Sequence, residues 1–244
     1  MSAIDLEPIT RLTKDLKAAA MTLSDAEARF LVDAYYTMQN NRIRADNQIR
    51  ALTQTEEPHA TLEWLATNAD ILERDMKRAL DAYSDSAVVG RWGKSIVGVG
   101  PVIAAGLLAH IDIRKAPTAG HIWRFAGLDP TVKWEKSQKR PWNAALKRIC
   151  WIAGESFTKV SGHEHDFYGK LYIQRKALEE ARNAEGLFSD QAAASLITKK
   201  YGRDTKARAA YEAGRLPQAR IHLRAQRWAV KIFLSHYQQV AYRA

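Results

Sequence analysis

Between residues 24 and 53 apolar side chains return at spacings of three, four and seven: Leu31, Tyr35, Met38, Ala45, Ile49 and Leu52, with Arg42 at the one polar position of the series. That is the period of an amphipathic helix, not of a strand. Ser24-Asp25-Ala26-Glu27 in front of it has the capping-box form, in which the serine caps the first turn and the glutamate reaches back. After Glu56-Glu57-Pro58 a second series, Leu62, Leu65, Ala69, Leu72, Met76, Ala79 and Tyr83, keeps a heptad alternation over three repeats. The pattern predicts a long, coiled-coil-like helical hairpin, acidic outside. Its apolar seams either close on each other or pair with a second copy of the chain.

From Val88 onward glycine and proline punctuate shorter apolar periods. Helices are predicted over roughly 86–96, 101–110, 118–126, 141–160, 166–184, 189–200, 204–213 and 217–242. Alternation is nearly absent and β-branched residues do not cluster, so no strand series is expected. The fold class is all-α: a long N-terminal hairpin, a helical domain containing a helix-hairpin-helix motif, and a long C-terminal helix. Three segments are expected, 1–85, 86–161 and 162–244.

The stretch SIVGVGPVIAAGLLAHI, residues 95–111, sets Gly98, Gly100 and Pro101 at the mouth of an alanine-rich helix. Either glycine tolerates positive φ, and proline suits the first helical position because its missing N–H has no partner there. Free amides of Gly98-Val99-Gly100, with the helix start at Pro101, would form an anion site. Arg91 and Lys94 stand just before it. A purely structural turn has the same sequence.

Charge sharpens that choice. The net charge is +10, and it is segregated. Residues 1–90 carry 10 Lys and Arg against 15 Asp and Glu, and residues 91–161 carry 12 against 4. Residues 162–198 carry 4 against 6, and residues 199–244 carry 11 against 2. Two basic blocks of this kind suit a polyanion, because neutralising phosphates releases counterions; a solvated basic surface is the alternative. The single cysteine, Cys150, excludes an internal disulfide framework and a Cys-rich zinc site. The first thirty residues lack a signal-peptide pattern and no run reaches the length of a membrane span. A cytoplasmic location is expected, with no membrane partner and no cofactor.

The order of IVGVGPVIAAGLLAHI, then FAGLDP at 125–130, then NAALKR at 143–148 resembles the C-terminal domain of insertion-sequence transposases of the one-ten and one-sixteen type, over about residues 93–160. The resemblance implies a helical, nucleic-acid-contacting domain with a hairpin motif, preceded by a coiled coil that the segment 24–84 would supply. In that family an RNase H-like domain with four carboxylates binds metal, and the C-terminal domain supplies a serine nucleophile after G-L-x-P. Only about twenty residues precede the hairpin here, and the acidic residues of 1–90 fall on predicted helices. No such metal site, and no enzymatic activity, is therefore expected of this chain. Ser137 falls near the place of the family's serine, followed by Gln138 instead of a small residue. It reads as a phosphate-contacting or capping residue, with catalysis as a weaker alternative.

KWEKSQKRPWNAALKR, residues 133–148, interleaves Trp134 and Trp142 with Lys133, Lys136, Lys139, Arg140, Lys147 and Arg148. Aromatic faces stack bases while cations take phosphates. Trp134 is expected to be exposed and Trp142, just after Pro141, to anchor the core. Asn143 belongs to the same stretch. His163-Glu164-His165-Asp166 suits a helix start better than a metal site. On the last helix Arg220, Arg224, Arg227 and Lys231 form a cationic ridge beside Ile221, Trp228 and Ser235, with Leu223, Val230, Ile232, Phe233, Leu234 and Tyr237 as the core side.

The expected function is a non-catalytic, transposase-related protein that binds nucleic acid, DNA rather than RNA, through the glycine turn and the 133–148 segment. Self-association through the hairpin would make it a homo-oligomer. Three alternatives stay open: a phage-type binder sequestering a small nucleotide ligand, a recombinase remnant using Ser137 with a separate metal-bearing subunit, and a purely structural oligomer.

Overall fold

The computed structural model describes residues 14–53, 60–135 and 137–244. Among them the chain is all-helical, without strands. The helices are α1 (Lys14–Ala20), α2 (Asp25–Thr53), α3 (Ala60–Asp85), α4 (Val88–Lys94), α5 (Pro101–His110), α6 (Ala119–Phe125), α7 (Ala144–Lys159), α8 (Tyr168–Ala184), α9 (Ser189–Thr198), α10 (Lys206–Glu212) and α11 (Gln218–Arg243), with a 3₁₀ turn at Ile113–Lys115. The periodicity places every helix from α2 onward within three residues of these ends; α1 and the 3₁₀ turn are additions. No helix among the described residues is long and apolar enough to cross a membrane.

The chain divides into two compact units, and the division falls inside the glycine turn. One unit holds residues 1–95 and 99–114; the other holds 96–98 and 115–243. The boundaries expected at 85 and 161 lie within these units. The reason is packing: α5 lies against α2, α3 and α4, and α7 lies against α8 and α11.

In the first unit the capping box forms as the sequence predicts. Ser24 N–H and Oγ donate to Glu27 Oε2 at 2.8 and 2.6 Å, and Glu27 N–H donates to Ser24 Oγ at 3.3 Å. The seams of α2 and α3 close on each other, with α1 against α3. Arg42, the polar member of the α2 series, meets Glu73 of α3 at 2.6 Å. Gln39 donates to the same carboxylate at 3.1 Å and to the Tyr35 hydroxyl at 3.0 Å. Burial raises the Glu73 carboxyl, but Arg42 and Gln39 outweigh it and hold the group below its ordinary range. Val102, Ile103, Ala104, Ala105, Gly106, Leu107 and Ala109 of α5 are all buried, which is why this helix shows no polar face.

In the second unit α11 is the central element, packed against α6, α7 and α8. Phe157 of α7 sits 5.3 Å from Phe233 and 5.0 Å from Tyr168, centroid to centroid; such aromatic pairs contribute about 0.5–1.5 kcal/mol each beyond their buried area. Gly154 lets α7 approach α11 closely, since a Cβ there would meet Gln226 at 2.6 Å. Val230, Phe233, Leu234 and Tyr237 are buried as expected, whereas Leu223 and Ile232 are half-buried. Ile221, grouped by the sequence with the cationic side, is fully buried with Phe188, Ala192, Tyr211 and Leu216.

Candidate nucleic-acid interface

The glycine turn is built from two different glycines. Gly98 takes φ +95°, the region that favours glycine. Phe157 and Val160 stand 3.2 Å from where its Cβ would lie, and Ser156 Oγ donates to its carbonyl at 2.5 Å. The close approach of α7 explains this residue without an anion. Gly100, by contrast, has φ −87° and ψ 174°, ordinary extended backbone, and is exposed with nothing within 4 Å of its Cβ position. Positive φ therefore applies to one of the two glycines only. Val99 is buried. Pro101 opens α5 at its first turn as the sequence predicts.

The cations ahead of the turn are drawn elsewhere. Lys94 Nζ makes ion pairs with Asp81 and with Asp85, the latter at 2.8 Å. Although burial pulls the ammonium down, these two carboxylates hold it above its ordinary value. Arg91 donates to the Asp85 carbonyl at 2.5 Å. Both side chains thus face the acidic end of α3.

The segment 125–148 is organised around Gly127. The helix α6 ends in a Schellman turn: Leu128 N–H donates to Trp123 O at 2.8 Å and Gly127 N–H to Arg124 O at 3.1 Å. Gly127 takes φ +65°, and the Trp142 ring lies 2.7 Å from where its Cβ would be. Asn143 is a cap: its Oδ1 accepts from Leu146 N–H at 2.9 Å, and its own N–H donates to Phe125 O at 2.8 Å. The FAGLDP and NAALKR stretches thereby meet, and Trp142 is positioned between a glycine and the Lys147 ammonium, 4.1 Å from its ring centre.

Trp134 is 37% exposed and lies 6.1 Å from Trp142, edge to face. Its indole N–H donates to Gln138 O at 2.8 Å, closing the loop that carries Ser137, and Arg140 lies 5.6 Å from its ring centre. Ser137 is exposed, with φ +136°, the one non-glycine residue at positive φ among those described. Lys133, Lys139 and Arg148 are exposed; Lys136 lies outside the described residues.

The ridge on α11 divides in two. Arg224 Nε bonds Glu179 Oε2 at 2.8 Å, and Arg224 also lies over the Phe188 ring, so it is engaged within its own unit. Arg220 and Arg227 are exposed with no acidic partner among the described residues. Lys231 sits 4.1 Å from the Trp123 ring centre, and Trp123 Nε1 donates to the Lys231 carbonyl at 3.0 Å. Desolvation, then Arg227 and Arg140, hold the Lys147 ammonium below its ordinary value. Desolvation, then Arg220 and Arg224, do the same to the Arg227 guanidinium, although it reaches solvent. Arg140 and Lys147 thus lie over Trp134 and Trp142, and Lys147 has like-charged neighbours in Arg140 and Arg227. Such crowding disfavours the apo protein and favours an anion.

Residues 94–151 match the Transposase IS116/IS110/IS902 family. The family corresponds to the C-terminal part of those transposases. The transposase-family segment thus runs from Lys94 through the glycine turn and the Gly127–Trp142 contact to Trp151, and a transposase-related role and a nucleic-acid partner are what it suggests. No curated protein and no solved structure matches the chain.

Two further clusters stand outside the segment. Asp166, 2% exposed, accepts Gly169 N–H at 2.7 Å and so caps α8, as the sequence reading of residues 163–166 expects. No group of three or more His, Cys, Asp or Glu among the described residues is placed to hold a metal ion. Sequence periodicity does not reveal the part played by Gly127, which depends on the ring that packs on it. The mixed WRFAGLDP spelling was the available signal for it.

Proposed function

We infer that this chain is a transposase-related protein that binds the phosphate backbone of nucleic acid, DNA in preference to RNA, acting by binding and not by chemistry of its own. The observation that carries the reading is the placing of Arg140 and Lys147 over the rings of Trp134 and Trp142, themselves edge to face, with Arg227 adding like charge beside Lys147. Phosphates take the cations and an unstacked base takes the exposed Trp134 face. Gly100, exposed ahead of α5, offers a backbone contact of its own. Lys133, Lys139 and Arg148 extend the cationic surface. Exposed Phe30 and Leu65 on the hairpin support self-association.

Anisotropy titrations against duplex, single-stranded and branched DNA and against RNA, across a salt series, test this. With four to five phosphates neutralised, log K on duplex should fall with log salt at a slope of about −4. Arg140→Gln with Lys147→Gln should reduce that slope by about 2. Absence of binding at low salt, or saturation by a mononucleotide alone, would favour the nucleotide-sequestering alternative or a structural role.

One observation favours a second reading, the recombinase remnant. Ser137 is exposed in a backbone region that serine rarely adopts, and such strain gathers at functional sites. Ser137→Ala, mixed with a metal-bearing recombinase subunit and branched DNA, would abolish strand cleavage while sparing binding.

A further inference from the structure

The positive charge of residues 199–244 is not exhausted by α11. Between the end of α9 and α10 an open cleft of about 500 Å³ is lined by Leu196, Lys199, Lys200, Tyr201, Arg203 and Arg208, with Glu212. Glu212 accounts for one cation only, since its Oε1 bonds Arg208 Nε at 2.7 Å. Lys199, Lys200 and Arg203 are exposed and have no acidic partner among the described residues.

Tyr201 gives the cleft a fixed aromatic wall. Its ring centre lies 5.0 Å from that of Tyr211, and Tyr211 is buried with Phe188, Leu216 and Ile221. The ring is therefore held by the packing of α9, α10 and α11. Three uncompensated cations, an anchored ring and the aliphatic Leu196 match the parts of one nucleotide: the anion takes the lysines and arginine, and the planar base or the sugar takes the ring. An acidic peptide would use the cations but has no need of the aromatic wall.

Arg220 connects this cleft with the tryptophan cluster. It is near enough to Tyr201 to act on the phenol and near enough to Arg227 to help hold down that guanidinium, and Arg227 acts in turn on Lys147. Seven residues apart on α11, the exposed Arg220 and Arg227 share one face of that helix. We propose that the cleft between α9 and α10 is a second subsite for a nucleic-acid strand, holding one phosphodiester and its nucleoside. A strand engaged at the tryptophans runs along Arg227 and Arg220 into it. This rests on the nucleic-acid reading of the tryptophan cluster and lengthens its footprint beyond the transposase-family segment.

The test compares the full chain with its Lys199→Ala, Lys200→Ala, Arg203→Ala triple variant on fluorescent single-stranded oligodeoxynucleotides of graded length. All three side chains are exposed, so the variant should keep the parent's melting temperature. Short strands should bind both proteins alike. Affinity of the parent should go on rising with length where the variant levels off, and on a long strand the variant's salt slope should be shallower by about 0.7, the share of one phosphate on a single strand. Equal length dependence and equal slopes would overturn the subsite while leaving the tryptophan cluster standing. Failure of the parent to bind any strand would overturn both. Competition by polyglutamate that vanishes in the triple variant, without a change in strand affinity, would reassign the cleft to acidic peptide and overturn the proposal.

Discussion

Trp142 rests on Gly127 so closely that a Cβ at the glycine would stand 2.7 Å from the indole, and the glycine's backbone is at φ +65°. Two requirements therefore meet at one residue, a left-handed helix ending and a flat contact for the ring. Gly127→Ala should destabilise the protein by roughly 2–4 kcal/mol, combining the left-handed penalty with overpacking. Because the same ring faces Lys147, nucleic-acid affinity should fall as well. Denaturant melts monitored by tryptophan fluorescence, with anisotropy titrations on the folded fraction, check both parts.

Arg227→Gln should separate stability from binding. Removing one member of a like-charged cluster relieves repulsion on Lys147, so the free variant should melt roughly 1–3 °C higher, equivalent to a few tenths up to about 1 kcal/mol. Its affinity for nucleic acid should drop in the same preparation. A variant that loses both stability and affinity would show that Arg227 is held by contacts and not crowded by charge.

Glu179 sets the acid limit of the second unit. It is 1% exposed, with Arg224 Nε at 2.8 Å and Arg175 Nη2 at 2.5 Å, the latter an ion pair without hydrogen-bond geometry. Burial raises the carboxyl, but Arg224 and Arg175 outweigh it and hold the group below its ordinary 4.5. The unfolded chain then takes up the proton before the folded one does. The stability from this depression is present above about pH 4.5 and is lost as pH falls through the lower folded value. Glu73 contributes in the same direction in the first unit. Thermal melts on acidification should fall more steeply for the parent than for Glu179→Gln, and Glu179→Ala should cost about 2–3 kcal/mol near neutral pH, since both arginines retain some access to water.

Cys150 should be inert. Burial pushes its thiol up to about 12, and only the thiolate reacts readily. Native protein should resist alkylation at neutral pH, while denatured protein should label at once; mass spectrometry of the two distinguishes them.

Helix existence and type were legible in the sequence because periodicity, caps and glycine endings are local: Ser24 with Glu27, Pro101 at a helix start and the apolar series of α11 each specify their element within a few residues. The exposure of Trp134 was legible for the same reason, since it stands in a dense run of cations, whereas Trp142, expected in the core, is half-buried against Gly127. Partnership between distant residues was not. Lys94 and Arg224 read as members of basic patches, yet Asp81 and Glu179 are brought to them only by packing. Ile221, set beside arginines in sequence, is buried because Phe188 and Tyr211 converge on it.

The chain by itself therefore determined an all-α fold, the segregation of its charge and the residues resembling a transposase. Tertiary structure alone decided which cations are neutralised and which remain open, and which of the two glycines flanking Val99 takes the left-handed backbone. The physical reason is range: helix formation is settled over one or two turns, whereas the free energy of a charge depends on whatever the fold sets within a few ångströms of it.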